Sequence, residues 1–203
     1  VLADYEPRMR TFLCASLFAS FVAAQPTMAR PARLTPQLAL AQICASEEGL
    51  EEITDGCAAI HQVLLRGAAR RGMTYVAYAR AYSSAVFEGT GRRPWLADLN
   101  PQGYEPARWP RAIVRRRRDG TNEVVSHPSW SVYRERWLEL YAHAGRVVRG
   151  EVPAFCAEPP DHFGCPPDRA RQCRDHEHAM QRGWTLTPCG DTRSEFWLVP
   201  GLD

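Results

Sequence analysis

The chain has no internal repeat and, beyond one short uncharged stretch near its start, no second long apolar segment. A repeat architecture and a bundle of membrane spans are therefore not expected. A dominant charge is missing as well. Twenty-five Lys and Arg face 23 Asp and Glu, for a formal net charge of +2, too balanced to argue for a nucleic-acid partner. The cysteines of the tail lack the close C-x2-C pairing of zinc sites. Asp175-His176-Glu177-His178 lacks the H-E-x-x-H spacing that sets two ligands on one helical face. Neither a metal nor a cofactor is expected.

What is present begins with export. Met9-Arg10 precedes Thr11 to Ala24, an uncharged run reading TFLCASLFASFVAA. A basic start, an apolar run and small residues before Gln25-Pro26 make a secretory signal peptide. The run is too short for a permanent span, which needs ~20 apolar residues. Val22 and Ala24 place cleavage after Ala24, and Met9 is the expected true start, since VLADYEPR is unlike a signal sequence. Residues 1–24 are thus read as signal, 25–35 as a proline-bearing leader and 36–203 as a single domain. About 179 of the 203 residues remain after cleavage, enough for one core.

Seven cysteines are present. Cys14 lies inside the signal, which leaves Cys44, Cys57, Cys156, Cys165, Cys173 and Cys189. An even set in an exported chain reads as a disulfide framework. Cys44 with Cys57 is the natural front pair, and pairing among the last four stays open. The even count leaves no spare thiol for a cysteine nucleophile, and His61, on an apolar helix, reads as a core histidine. A periplasmic or secreted location is expected.

Helices dominate the remaining pattern. Thr35-Pro36 is a cap followed by a first-turn proline. It opens a buried helix through Leu38, Leu40, Ile43 and Cys44 that ends near Gly49. Asp55 is the expected cap of a second helix, and a third runs from Thr74 to Phe87. Arg92 to Pro110 reads as a structured loop. Trp130, Tyr133, Trp137, Leu140, Tyr141, Ala144, Val147 and Val148 make one apolar face of a helix within Pro128–Arg149. Arg115 to Arg118 reads as a solvated helix end or loop. After Gly150 a loop-rich tail carries four cysteines, then a short helix from about Asp168 to Gln181 and an extended end from Trp184 to Val199. The expected class is mainly α, with a loop-rich, disulfide-bonded C-terminal part.

Chemistry concentrates at Ile43 to Gly49, ICASEEG. A glutamate at the carboxyl end of a buried helix faces desolvation and the unfavourable end of the helix dipole. Both raise the pKa of a carboxyl group toward the range a general acid needs. LAQICASEEG, followed by DGCAAIHQVLLRGA, resembles the front of the SleB-like cell wall hydrolases and related lytic transglycosylases of the lysozyme-like superfamily. In that group a buried helix ends in A-E-A or S-E-A-G, whose glutamate is catalytic, and a second helix with small residues packs beside it. Glu47 occupies the matching place within Ser46-Glu47-Glu48-Gly49. Glu48 stands where a small residue is usual, and a different count of the gap before the second helix assigns the role to Glu48.

The resemblance extends downstream. Ala81-Tyr82-Ser83 resembles the substrate-lining stretch of such enzymes, with Arg93 and Trp95 just beyond. Asp161-His162-Phe163-Gly164 is similar to a His-aromatic-Gly element near the cleft. Cys189 to Trp197 is similar to a closing C-G-x-T-R-x-x-F-W strip containing Thr192 and Arg193. The resemblance implies a lysozyme-like helical domain, a monomer acting on peptidoglycan, with one glutamate as general acid and then base in a lytic transglycosylase. A muramidase-like hydrolase needs a second carboxylate, for which Glu51, Glu52 and Asp55 are candidates. Aromatic side chains such as Tyr82, Trp95 and Tyr104 are suited to stacking on sugar faces. The alternative is a catalytically inactive wall-binding module on the same scaffold.

Overall fold

The computed structural model describes residues 33–90, 93–116, 120–164 and 175–202. The signal segment, most of the leader, Cys165, Cys173 and Arg117-Arg118 lie outside the described residues. Helix α1 (Pro36–Glu47) starts where expected: Thr35 Oγ1 accepts from the Leu38 N–H at 3.2 Å, and Pro36 fills the first turn. Every residue from Leu38 to Ala45 is buried. The helix has no solvent face, so it forms the axis of the domain. Its one buried polar side chain in that stretch, Gln42, donates from Nε2 to the Leu99 carbonyl at 3.0 Å.

Around this axis pack α2 (Gly56–Arg70), α3 (Tyr75–Tyr82), a 3-10 turn (Pro94–Asp98) and α5 (Trp130–Val148). The periodicity of α5 is realised: Trp130, Trp137, Leu140, Ala144 and Val147 are buried. The expected single third helix is two, α3 and α4 (Ser84–Phe87), because Ser83 leaves helical geometry at φ −126° and ψ 55°. Serine tolerates such a break, since its hydroxyl competes for backbone partners. His61 is half-buried on α2: its Nδ1 lies 3.0 Å from Tyr75 Oη, and burial holds its pKa below the ordinary value.

The mainly α expectation needs amending, because two antiparallel sheets accompany the helices. Strands β1 (Ala112–Arg116) and β2 (Asn122–Ser126) pair from Ala112↔Ser126 to Arg116↔Asn122. Arg115 and Arg116 therefore belong to a strand, not to a helix end or loop. Ile113 and Val114 stand opposite Val125 and Val124 in that pairing, β-branched residues that suit a strand. The second sheet has the order β3-β5-β4, from β3 (His162–Gly164), β4 (Thr185–Leu186) and β5 (Glu195–Leu198). It buries Phe163, Phe196 and Trp197. The tail helix α6 spans Asp175–Gln181.

Two disulfides, Cys44–Cys57 and Cys156–Cys189, are formed, consistent with an extracytoplasmic location. Asp55 sits before α2 but does not cap it with its side chain. Instead Asp55 Oδ2 accepts from the Asp191 N–H at 3.1 Å, while the Asp55 N–H donates to the Asp191 carbonyl at 3.0 Å. This reciprocal pair binds the C-terminal strip to the start of α2. No helix among the described residues is long and apolar enough to cross a membrane.

Candidate active site

Helix α1 stops at Glu47 because Gly49 takes φ +88°, a left-handed conformation that a side chain resists. Beside this terminus the Cys44–Cys57 bridge ties the end of α1 to the start of α2. The two glutamates of the motif then part company. Glu48 is only 2 % exposed. Its Oε2 accepts from Thr54 Oγ1 at 2.5 Å and from the Arg193 N–H at 2.8 Å.

The Glu48 carboxylate lies directly over Gly56, the first residue of α2. A Cβ there would come within 2.4–2.6 Å of its carboxylate atoms. The sequence places this acid at the carboxyl end of α1, but the fold also brings the amino end of α2 against it, and that end favours a negative charge. Glu48 is thereby fixed as a junction of α1, α2 and the C-terminal strip. Glu47, one residue earlier, is half-buried.

Both glutamates border a cleft of about 710 Å³, within the ~300–1,000 Å³ typical of ligand sites. The cleft is also lined by Trp95, Trp109, His127, Tyr133, Arg93 and Arg193, and by Ala112 to Val114 of β1. Its aromatic wall is continuous. Trp109 meets Trp95 and His127 with ring centroids 4.8 Å apart and Tyr133 at 5.3 Å. Such edge-on contacts fix the orientation of each ring. Trp109 Nε1 also donates to the Pro128 carbonyl at 3.0 Å.

The charges along the cleft are largely matched. Arg193 Nη1 donates to Glu51 Oε2 at 3.0 Å, and its other terminal nitrogen stands 3.8 Å from Glu52. Arg108 holds Asp98 through two bonds, at 2.8 and 2.6 Å. Arg93 Nη1 donates to the Ser46 carbonyl at 3.0 Å, satisfying a terminal acceptor of α1.

Of the residues expected at a site, the fold brings Glu47, Glu48, Glu51, Arg93, Trp95 and Arg193 to one cleft. Tyr82 and His162 are not among its lining residues. Tyr82 Oη lies 2.8 Å from His162 Nδ1 and donates to the Phe163 carbonyl at 3.2 Å, which anchors α3 to β3. Ser83 joins α3 to α4, and Thr192 Oγ1 donates to the Ser194 carbonyl at 2.8 Å within its own strip. Tyr104 is exposed and outside the cleft. Cys156 is committed to Cys189, and His176 Nδ1 lies 2.8 Å from Glu195 Oε2. Trp109, His127 and Tyr133 were not anticipated as site residues. Their only sequence signal was aromatic density on both flanks of the hairpin.

Comparison with protein-family models, with curated proteins and with solved structures finds no match. The reading of the cleft therefore rests on its own geometry.

Proposed function

We propose that the protein is a lytic transglycosylase of the bacterial cell wall, a monomer on a lysozyme-like scaffold acting in the periplasm or outside the cell. The observation that carries the proposal is the placement of Glu47. It ends a helix buried from Leu38 to Ala45, at the rim of a cleft whose wall is aromatic. Sugar rings present flat C–H faces that stack on such walls, and a half-buried carboxyl group can hold the proton that glycoside cleavage requires.

In this mechanism Glu47 donates its proton to the oxygen linking N-acetylmuramic acid to N-acetylglucosamine. The bond from muramyl C1 to that oxygen breaks, leaving positive charge at C1. The Glu47 carboxylate then takes the proton from the C6 hydroxyl, and O6 closes on C1 to form a 1,6-anhydro ring. The acid is restored and no water is consumed. Glu48 serves as the fixed junction beneath it, since its Oε2 is already taken by Thr54 and Arg193.

A retaining or inverting hydrolase needs a second carboxylate beside the bond. Of the candidates on the following turn, Glu51 lines the same cleft but is paired with the Arg193 guanidinium, Glu52 stands 3.8 Å from that guanidinium, and Asp55 accepts from the Asp191 N–H. This supports internal attack over hydrolysis. The test is digestion of purified peptidoglycan by the chain from Gln25 onward, produced under oxidising conditions. Anhydro-muropeptides that disappear with Glu47→Gln are expected. Reducing-end products would identify a hydrolase, and no release at all would leave the inactive wall-binding module.

A further inference from the structure

Three arginines line the cleft, and two are neutralised. Arg108 is paired with Asp98, and Arg193 with Glu51 and Glu52. Arg93 differs. Its hydrogen bond is to a backbone carbonyl, that of Ser46, and no described carboxylate pairs with it. One of its five N–H donors is used, and the planar fork is held at the end of α1, next to Glu47 in the chain. Two residues further on, Trp95 begins the aromatic wall through its contact with Trp109. An aromatic platform and a guanidinium with no described carboxylate partner thus line the same cleft as the proposed acid.

We infer that Arg93 is the residue through which the cleft selects an acidic glycan: it pairs with a carboxylate carried on the sugar that stacks against Trp95. A neutral aminosugar polymer offers the same ring faces but no partner for this fork. The inference rests on the glycan reading above and sharpens it to sugars bearing a carboxylate. The lactyl ether of a peptide-free strand and the peptide of an intact strand both supply that group. Carboxylate recognition by a planar fork is bidentate, so lysine is a poor substitute.

Binding tests this independently of turnover. In the Glu47→Gln background, affinity is measured by calorimetry for peptide-free glycan strands, for peptide-bearing strands, for carboxyl-reduced strands and for a neutral chitin hexamer. Arg93→Gln is expected to weaken binding of the carboxylate-bearing strands about two- to fivefold, the effect of one exposed ion pair. Reduced strands and chitin should bind the two proteins equally. A loss confined to peptide-bearing strands would place the carboxylate on the peptide, and a loss on peptide-free strands would place it on the lactyl group.

Arg93→Lys should recover only part of the affinity. Equal losses on acidic and neutral glycans, or no loss on either, would overturn the inference and leave Arg93 as a cap for Ser46. Binding of none of the four glycans to the Glu47→Gln protein would overturn the inference together with the glycan reading beneath it. Thermal melts of each variant separate these results from unfolding.

Discussion

Substituting Gly56 by alanine probes the junction beneath the proposed acid. The added methyl would sit 2.4 Å from Glu48 Cδ and about as close to both carboxylate oxygens, nearer than any real contact, so the carboxylate must move. Moving it breaks the bond from Thr54 Oγ1 at 2.5 Å and that from the Arg193 N–H at 2.8 Å. Hydrogen bonds to a charged group contribute ~1.5–3 kcal/mol each, so the loss is about 3–6 kcal/mol. Alanine in a helix recovers at most ~1 kcal/mol over glycine. The net cost is about 2–5 kcal/mol. For a domain of this size that lowers Tm by about 5–15 °C. Calorimetry or circular dichroism on the oxidised protein measures it. In a Glu48→Ala background the same substitution should be nearly neutral, giving a coupling of about 2–5 kcal/mol. A Gly56→Ala protein as stable as the parent, or more so, would refute the reasoning.

Other expectations follow from the same structure. Replacing Cys44 and Cys57 together by serine should cost about 3 kcal/mol, the value for a short closed loop, and lower Tm by about 6–12 °C; an unchanged Tm counts against the bridge. Trp109→Ala removes a ring in contact with Trp95, His127, Trp130 and Tyr133. Being half-buried, it should cost about 2–4 kcal/mol in denaturant unfolding and weaken glycan binding about tenfold, whereas unchanged binding would separate the wall from the ligand. Burial works against ionisation of Asp161, but the Val199 N–H, Arg70 and Arg66 outweigh it and hold its carboxyl below the ordinary 3.8. Its stabilisation is therefore fully present above about pH 4 and is lost as pH falls through the folded value. Asp161→Asn should flatten the acid limb of the stability curve, and an unchanged limb would locate the acid sensitivity elsewhere.

The axis of the fold was legible because its signals are local. The Thr35-Pro36 cap, the uninterrupted apolar run of α1 and the seven-residue recurrences in α5 each specify structure within one or two turns. The front disulfide follows from closeness in sequence. The site was legible only in part. Glu47 and Glu48 are adjacent in the chain, yet their roles diverge because of Thr54, Gly56 and Arg193, and nothing near position 48 announces a partner at position 193. The β1–β2 pairing is hidden in the sequence because Arg115 and Arg116 put charge on a strand. Tyr82 and His162 have the residue types of a ligand site, but their mutual bond belongs to the packing of α3 on β3. Trp109, His127 and Tyr133 meet only in the folded chain.

The most direct measurement of the central claim is product analysis of purified peptidoglycan digested by the oxidised chain, with Glu47→Gln and Glu48→Gln alongside. The account predicts anhydro-muropeptides from the parent and none from Glu47→Gln, with Glu48→Gln retaining cleavage at reduced stability. Cleavage that survives Glu47→Gln, with Glu48→Gln inactive yet folded, would contradict it.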